Sequence, residues 1–394
     1  MKIKEGVYWV GVKDPKLRIF DVIMQAEAGT TYNSYLILGN EKVALVDTVK
    51  ASFRDEFFKK IEEIIPIEKI DYIIINHLEP DHSGALPYIL EKTKARVVIS
   101  KNAQVILKEL LHRDINPMLV GDGNSISLGD KTLEFIQAPF LHWPDTMFTY
   151  LVEDSILFPC DFLGCHYCDE NSIFNDETLD FSFSFKHYFF TIMRPFKEYS
   201  LQAIKKIENK KIEIVAPSHG PILRNDPWKY INLYREWSTP KKKDYKKAVI
   251  FYASPYGGTA AMAQNIAKGL MDNGIVTEIF DLSGTGIDET IIDIIEESDA
   301  LIVGSSTING DAIKPVWILL ASLATISLRN KIGFAFGTYA WSGEAAKMIE
   351  NRMKDLKMKV PEPFLRAQMV PTEEDLQKSY EVGKRLAEVI KSSS

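Results

Sequence analysis

Four side chains of metal-binding type are crowded into six positions of the chain, residues 77–82. They are His77, Glu79, Asp81 and His82, in the stretch INHLEPDHSG, which directly follows an apolar run at 70–75. Imidazole and carboxylate together are the usual ligands of iron, zinc and manganese. The alternative is a polar loop that caps the next helix, which suits one such residue better than four. The stretch therefore predicts a metal site.

Three further candidate ligands occur downstream, each directly after a predicted strand. They are His142 in APFLHWPDT, Asp161 in ILFPCDFLG and His219 in IVAPSHGP. With the first four they make seven candidates, which is more than one tetrahedral zinc ion can use. The set predicts two metal ions, with Asp161 placed to bridge them.

A different chemistry is indicated by SPYGGTAAM, residues 254–262, between a predicted strand and a predicted helix. The hydroxyls of Ser254 and Thr259 and the amides of Tyr256, Gly257 and Gly258 can surround a phosphate at the positive end of the helix. The lysine of a Walker loop and the spacing of a Rossmann loop are absent. An ordinary strand–helix turn is the alternative for this loop taken alone.

Two later loops favour a ligand over an ordinary turn. GSSTINGD at 304–311 and GTYAWSG at 337–343 follow predicted parallel strands, whose carboxyl ends are where such sheets bind ligands. Small residues leave room for a flat ring, and aromatic residues offer surface to it, although simple packing remains an alternative for Tyr256, Tyr339 and Trp341. The candidate contacts in these two loops are Ser306, Thr307, Ile308, Asn309, Gly310, Gly337, Thr338, Tyr339, Ala340, Trp341 and Gly343.

The elements that must position these residues differ between the two halves of the chain. In the first half, the pattern predicts mostly strands, at 31–38, 42–47, 70–75, 95–100, 133–137, 147–151, 155–159 and 212–216, and a helix at 55–65. The first two of these strands are predicted to form a hairpin.

The second half alternates strand and helix, which predicts a doubly wound parallel sheet. The predicted strands are 247–253, 276–280, 300–304 and 331–336, and the predicted helices are 259–273, 289–297, 315–324, 343–356 and 372–390. The basic segment TPKKKDYKK at 239–247 is typical of a linker, and all seven histidines precede it. We therefore predict two domains, 1–243 and 244–394.

Composition excludes several classes of protein. The formal net charge of −7 argues against a nucleic-acid-binding surface. The longest apolar segment, 316–328, is too short to cross a bilayer, and the N-terminus lacks the apolar stretch of a signal peptide. Three cysteines, Cys160, Cys165 and Cys168, do not make a disulfide framework and fall short of the four ligands of an iron–sulfur cluster. The sequence therefore predicts a cytoplasmic protein that binds neither nucleic acid nor membrane.

The order of the metal-binding residues resembles that of the metallo-β-lactamase superfamily, His-x-His-x-Asp-His followed by separate His, Asp and His. Glu79 replaces the second of these histidines, and a hard anionic oxygen favours iron over zinc. The resulting His-x-Glu-x-Asp-His pattern, with LHWPDTMFTY, GTTYNSYLI and APSHGPILR, is similar to that of the flavodiiron family, the rubredoxin:oxygen oxidoreductases. The resemblance covers nearly the whole chain.

That resemblance implies a fold and cofactors. The fold is an α/β arrangement, an N-terminal metallo-β-lactamase-like αββα sandwich followed by a flavodoxin-like doubly wound parallel sheet. The metals are two Fe ions with an oxo or hydroxo bridge, and the flat ligand is FMN. In some members the imidazole matching His82 turns away, and some carry a histidine that can contact bound oxygen where this chain has Asp21. His166 is a candidate to lie close to the metals, with a structural role as the alternative, and His187 and Tyr188 are candidates to line the pocket.

The resemblance also implies an activity and partners. The expected substrate is O2, reduced to water, or NO, reduced to N2O. The electron donor is expected to be rubredoxin, with reduced deazaflavin F420 as the alternative, and the working unit a head-to-tail homodimer or a dimer of dimers. Rival interpretations are a zinc hydrolase with an attached flavodoxin, a gas or redox sensor, and a simple electron carrier, which leaves the first half unexplained.

Overall fold

The computed structural model describes residues 1–21, 24–284 and 288–393. Contacts between Cα atoms divide the chain into two compact units, Met1–Thr239 and Pro240–Ser394. Among the described residues, no helix combines the length and apolar character needed to cross a membrane.

The first unit is rich in short strands. These are β1 (Lys2–Lys4), β2 (Val7–Trp9), β3 (Val12–Asp14), β4 (Ile19–Phe20), β5 (Met24–Gln25), β6 (Thr30–Tyr32), β7 (Tyr35–Leu38), β8 (Val43–Val46), β9 (Tyr72–Ile74), β10 (Arg96–Ser100), β11 (Met118–Val120), β12 (Ser125–Ser127), β13 (Thr132–Gln137), β14 (Met147–Leu151), β15 (Ile156–Phe158) and β16 (Ile214–Val215). Its α-helices are α1 (Arg54–Glu62), α2 (Pro80–Ser83), α3 (Leu86–Ile89), α4 (Ala103–Leu111), α5 (Ser182–Tyr188), α6 (Lys197–Ile207) and α7 (Pro227–Ser238).

Two sheets form the centre of this unit, in the strand orders β1-β2-β7-β8-β9-β10-β11 and β12-β13-β14-β15-β16. Alternate residues of each strand point to opposite faces, so Tyr35 and Ile37 of β7 pack with Phe135 of β13 between the sheets. Leu36, on the other face of β7, packs towards α1, around Phe57. Helices α5, α6 and α7 cover the second sheet in the same way. The predicted αββα sandwich is confirmed.

The predicted strand at 31–38 is wrong in one respect, because the structure divides it into β6 and β7. The break falls at Asn33, whose side-chain amide donates hydrogen bonds to the carbonyls of Pro217 (2.8 Å) and Gly220 (2.9 Å). The backbone N–H of Asn33 also bonds the Ser218 carbonyl. These bonds hold residues 33 and 34 beside the loop that carries His219, while β7 and β8 pair antiparallel as the predicted hairpin.

The second unit contains β17 (Lys247–Ala253), β18 (Val276–Asp281), β19 (Ala300–Ile308), β20 (Asp311–Ala312), β21 (Ile332–Tyr339) and β22 (Leu365–Gln368), with α8 (Gly258–Met271), α9 (Glu289–Glu297), α10 (Lys314–Ser322), α11 (Ala345–Asp355) and α12 (Glu373–Ser392). The order β18-β17-β19-β21-β22 is parallel throughout, and β20 adds an antiparallel pair to the end of β19. This is the flavodoxin-like strand order, so the predicted fold of the second half is confirmed.

Two features of this sheet were not predicted from the sequence. Edge strand β22 is only four residues long, and its charged Arg366 is exposed, so it lacks the apolar run of a buried strand. Strands β19 and β21 also continue through Ser306 and Thr338, positions that the sequence assigned to loops. They do so because β20 and β22 pair with these extensions.

Candidate metal centre

The loop after β9 and the loop after β13 bring three candidate ligands into contact. Glu79 Oε2 lies 3.1 Å from His77 Nε2 and 3.0 Å from His142 Nε2. His77 is fully buried, and the other two side chains are largely buried. With Asp161, they form a group whose potential ligand atoms lie within 4.8 Å of one another. We call His77, Glu79, His142 and Asp161 the first group.

Three other candidates meet on the opposite side of Asp161. His219 Nε2, from the loop after β16, lies 3.0 Å from Asp81 Oδ2, and His82 Nε2 lies 3.4 Å from Asp81 Oδ1. Their potential ligand atoms also lie within 4.8 Å of one another. We call Asp81, His82 and His219 the second group.

Asp161 connects the two groups, with one carboxylate oxygen turned to each. Its Oδ2 lies 3.6 Å from His77 Nε2 and 3.7 Å from His142 Nε2. Its Oδ1 lies 2.9 Å from His82 Nε2 and 3.5 Å from His219 Nε2. The structure thus brings all seven candidates together, from loops that follow four different strands.

The start of helix α2 explains how the short stretch 79–82 serves both groups. Glu79 occupies the N-cap position, and Pro80, which has no N–H to satisfy, follows at the first helical position. The Glu79 side chain makes no capping hydrogen bond, so its carboxylate is directed to the first group. The helical backbone then turns Asp81 and His82 away from the first group, so that these two side chains belong to the second group. The alternative role of a helix cap does not fit this geometry.

The imidazoles differ in what holds their second ring nitrogen. His77 Nδ1 lies 3.2 Å from both carboxylate oxygens of Asp145, which is 1% exposed. His219 Nδ1 lies 2.6 Å from the backbone carbonyl of Thr31. Sequence reasoning did not single out Asp145, although it lies in LHWPDT, three residues after His142. The short distance along the chain between this acidic residue and a candidate ligand was the feature of the sequence that could have identified it.

The electrostatic environment of the seven candidate ligands favours the binding of cations. Burial lowers the pKa of His82, but Asp161 and Asp81 outweigh burial and raise it to about 10. Burial opposes ionisation of Glu79, yet the neighbouring His142 and His77 lower its pKa below the usual value. The carboxylate oxygens of Asp81 and Asp161 and both nitrogens of His82 are buried. Although Asp161 Oδ1 lies 2.9 Å from His82 Nε2, none of these atoms has a hydrogen-bond partner of suitable geometry among the described residues. Nitrogen and oxygen lone pairs that converge without hydrogen bonds fit bound cations.

A cavity of about 230 Å³ lies beside the cluster. Its lining includes His166, His187 and Tyr188, so the histidine that is a candidate to lie close to the metals and the two pocket candidates share one cavity. His166 Nδ1 lies 3.0 Å from Thr30 Oγ1, and its ring centroid lies 5.0 Å from that of His219. Asp21 is an exposed residue with φ of 46°.

Comparisons with known proteins agree with this architecture. The family model described as "ODP family beta lactamase" matches residues 30–220, and the flavodoxin model matches residues 250–383. The type A flavoprotein fprA of Rhodobacter capsulatus is 44% identical over 98% of this chain and 90% of its own length. The nitric oxide reductase of Moorella thermoacetica is 39% identical over 98% of this chain and 97% of its own length. The solved structure of rubredoxin oxygen:oxidoreductase from Desulfovibrio gigas has a TM-score of 0.71 and 30% identity, covering 100% of this chain and 99% of its own.

The chain belongs to the flavodiiron family of type A flavoproteins.

In this flavodiiron protein, the candidate flavin loops lie at one end of the parallel sheet. Thr259, Ser306 and Thr338 form a triangle of hydroxyls, with oxygen–oxygen distances of 3.0, 2.8 and 3.1 Å. Thr259 lies in the first turn of α8, whose N-cap residue, Gly257, makes no side-chain capping hydrogen bond. The Ser254 hydroxyl accepts a hydrogen bond from the Ala260 N–H. A phosphate at this helix N-terminus would meet backbone amides and several hydroxyls.

Glycines keep the candidate phosphate loop open. Gly257 has a φ of +79°, and a Cβ added there would meet nothing within 4 Å. At Gly258, which begins α8, a Cβ would lie 3.2 Å from Thr338 Cγ2. A ligand can therefore approach the backbone at 257, while the chain at 258 is packed too closely for a side chain without adjustment.

The remaining candidate flavin contacts fall at strand ends and turns. Ser306, Thr307 and Ile308 end β19, Asn309 and Gly310 form the turn to β20, Gly337, Thr338 and Tyr339 end β21, and Ala340, Trp341 and Gly343 follow β21. Tyr256 is 99% exposed and Trp341 is 77% exposed. Large aromatic side chains left in water beside open loops fit a flat ligand. The residues present therefore fit FMN.

Proposed function

We propose that this protein is a flavodiiron oxidoreductase that reduces O2 to water, NO to N2O, or both, with electrons delivered through FMN. The arrangement of Asp161 carries the proposal. One of its oxygens lies within 3.7 Å of imidazole nitrogens of the first group, and the other within 3.5 Å of imidazole nitrogens of the second. Two irons held there would exchange electrons with a diatomic gas and offer it open coordination positions.

In this proposal each of the two groups binds one metal ion. We assign His77, Glu79 and His142 to one iron, Asp81, His82 and His219 to the other, and Asp161 to both. Three carboxylates offset much of the positive charge of two irons, and Glu79 biases its position towards iron over zinc. His77, His82 and His219 are at most 1% exposed, so the protein excludes bulk water and keeps the electrostatic interactions strong.

The second unit holds FMN in this proposal. The Ser254–Thr259 loop and the hydroxyls of Ser306 and Thr338 bind the phosphate. Tyr256 and Trp341 cover the ring system. A flavin can pass electrons singly to a metal pair, so the protein's task is to bind and orient the two cofactors.

The finer assignments are also proposals. We infer a separate electron donor, with rubredoxin preferred over reduced deazaflavin F420, a head-to-tail homodimer or dimer of dimers, and a cytoplasmic location. We place the boundary between a diiron domain, 1–243, and an FMN domain, 244–394. Support for the boundary comes from the basic segment 239–247 and from the division of contacts near it.

The deciding experiment combines elemental analysis with stopped-flow mixing. We expect two irons and one FMN per chain, and rapid reoxidation of the fully reduced protein by O2, by NO, or by both. Flavin absorbance reports the reaction. Analytical ultracentrifugation tests the oligomeric state, and reduction rates with rubredoxin and with reduced F420 separate the two donors.

Two outcomes would replace the proposal with a rival. A fully loaded protein that contains zinc alone and cleaves esters or thioesters would be a hydrolase. A diiron protein that binds O2 but turns over slowly with every donor would be a sensor.

A further inference from the structure

Asp145 ties together the two loops that supply the first group of ligands. It lies three residues after His142, in the loop that follows β13. Its Oδ2 accepts a hydrogen bond of 2.8 Å from the Leu78 N–H, and both its oxygens face His77 Nδ1 at 3.2 Å. Its own carbonyl accepts a hydrogen bond of 2.7 Å from the Ser100 hydroxyl. The carboxylate is therefore fixed from several directions.

This contact determines the tautomer of His77. An ionised carboxylate can only accept hydrogen bonds, so Nδ1 must carry a proton, and the neutral imidazole then presents its lone pair at Nε2. Nε2 is the atom that faces Glu79 and Asp161. A carboxylate behind an imidazole also makes that imidazole a stronger metal ligand.

The second group has no equivalent support among the described residues. His219 Nδ1 faces the neutral carbonyl of Thr31 and the Thr30 hydroxyl. His82 Nδ1 is buried and has no hydrogen-bond partner in the described part of the chain. One group thus has an imidazole oriented by a full negative charge, and the other has imidazoles oriented by neutral groups or by none.

We propose that Asp145 is a positioning residue that makes the two metal positions unequal, so that the first group binds its ion more tightly than the second. The proposal rests on the diiron function above. It assigns Asp145 no contact with the metals or the substrate. Its effect is transmitted through the ring of His77.

The D145N variant separates charge from shape. The asparagine oxygen can still accept the Leu78 N–H, but the negative charge behind His77 is lost. We expect anaerobic titration of metal-free protein with Fe(II) to give two equivalents in the wild type, one tighter than the other. In D145N the affinity of the tighter equivalent should fall about 10- to 100-fold, the usual effect of removing such a partner, and FMN should remain bound.

T149V is the matched control. Thr149 is fully buried, and its hydroxyl donates a hydrogen bond of 2.7 Å to Asn76, next to His77 in the chain. T149V removes a buried hydrogen bond close to the cluster without touching an imidazole. Both variants should lower the melting temperature, but only D145N should change the iron affinity. Equal iron affinities in D145N and wild type would overturn the proposal.

A second pair of variants tests the inequality if D145N does not fold. H219A should retain the tight equivalent of iron, and H142A should lose it. The reverse result overturns the proposal. A wild-type protein that binds fewer than two irons contradicts the proposed function instead, so the two failures are distinguishable.

Discussion

The two cofactor regions differ in whether their polar groups are satisfied by the protein itself. In the metal cluster, buried oxygens of Asp81 and Asp161 lack hydrogen-bond partners among the described residues. In the flavin loops, the hydroxyls of Thr259, Ser306 and Thr338 bond one another. One region is complete only with cations, whereas in the other the hydroxyls are already hydrogen-bonded and the aromatic residues Tyr256 and Trp341 are exposed.

The difference follows from the cost of burying charge. Carboxylates removed from water are stable only when paired or bound to a metal. Hydroxyls and backbone amides cost less to bury, and exposed loops keep their hydration until a ligand displaces it. A small, highly charged ligand is therefore met by buried side chains, and a large, flat one by loops at the surface.

The D161A variant should have the largest effect. It removes the carboxylate that faces both groups, so we expect both irons to be lost, along with reductase activity, while FMN stays bound. Metal and flavin analysis of the purified variant checks this result. D114A, which removes an exposed carboxylate of the same unit, should keep both irons. A full iron complement in D161A would rule out the bridging role.

Metal removal should make the stability of the first unit depend on pH. Without metal, Asp161 and Asp81 outweigh burial and raise the pKa of His82 to about 10, above the unfolded value of about 6.5. The raised pKa stabilises the folded unit fully below about pH 6.5, and this contribution is lost as pH rises towards 10. Thermal melting of chelated protein between these limits should show the decline. Restoring iron should abolish it, and a flat profile in metal-free protein would contradict the prediction.

The T259V variant should weaken FMN binding without changing iron content. It removes one hydroxyl of the triangle and leaves the shape of the side chain, so the loss is one hydrogen bond to the phosphate. A hydrogen bond to a charged group contributes about 1.5–3 kcal/mol, which corresponds to a rise in Kd of about 10- to 100-fold. Flavin fluorescence titration measures it. T277V, on strand β18, should bind FMN normally.

The smallest effect is expected for W341A. Because Trp341 is 77% exposed, its removal should leave the melting temperature of the flavin-free protein unchanged. An aromatic contact contributes about 0.5–1.5 kcal/mol, so the Kd for FMN should rise several-fold. Y245A, which removes an exposed aromatic residue outside the loops, serves as control. A lower melting temperature for flavin-free W341A would show that the ring packs against the protein.

The fold could be predicted where local patterns were strong. Strand–helix alternation in the second half predicted the parallel sheet. Strand β22 was not predicted, because a four-residue edge strand with an exposed Arg366 has no apolar run. In the first half, the break between β6 and β7 was missed because the bonds of Asn33 join it to residues more than 180 positions away. No local pattern records such a contact.

The sequence by itself determined the chemistry of this protein: which imidazoles, carboxylates and hydroxyls are available, and that they follow strands, because these depend on residue type and local periodicity. Only the tertiary structure decided the distances. It turned the two oxygens of Asp161 towards different groups, placed Asp145 behind His77, and joined the hydroxyls of one helix and two strands. These contacts join residues far apart in the chain, so they exist only once the sheets have packed.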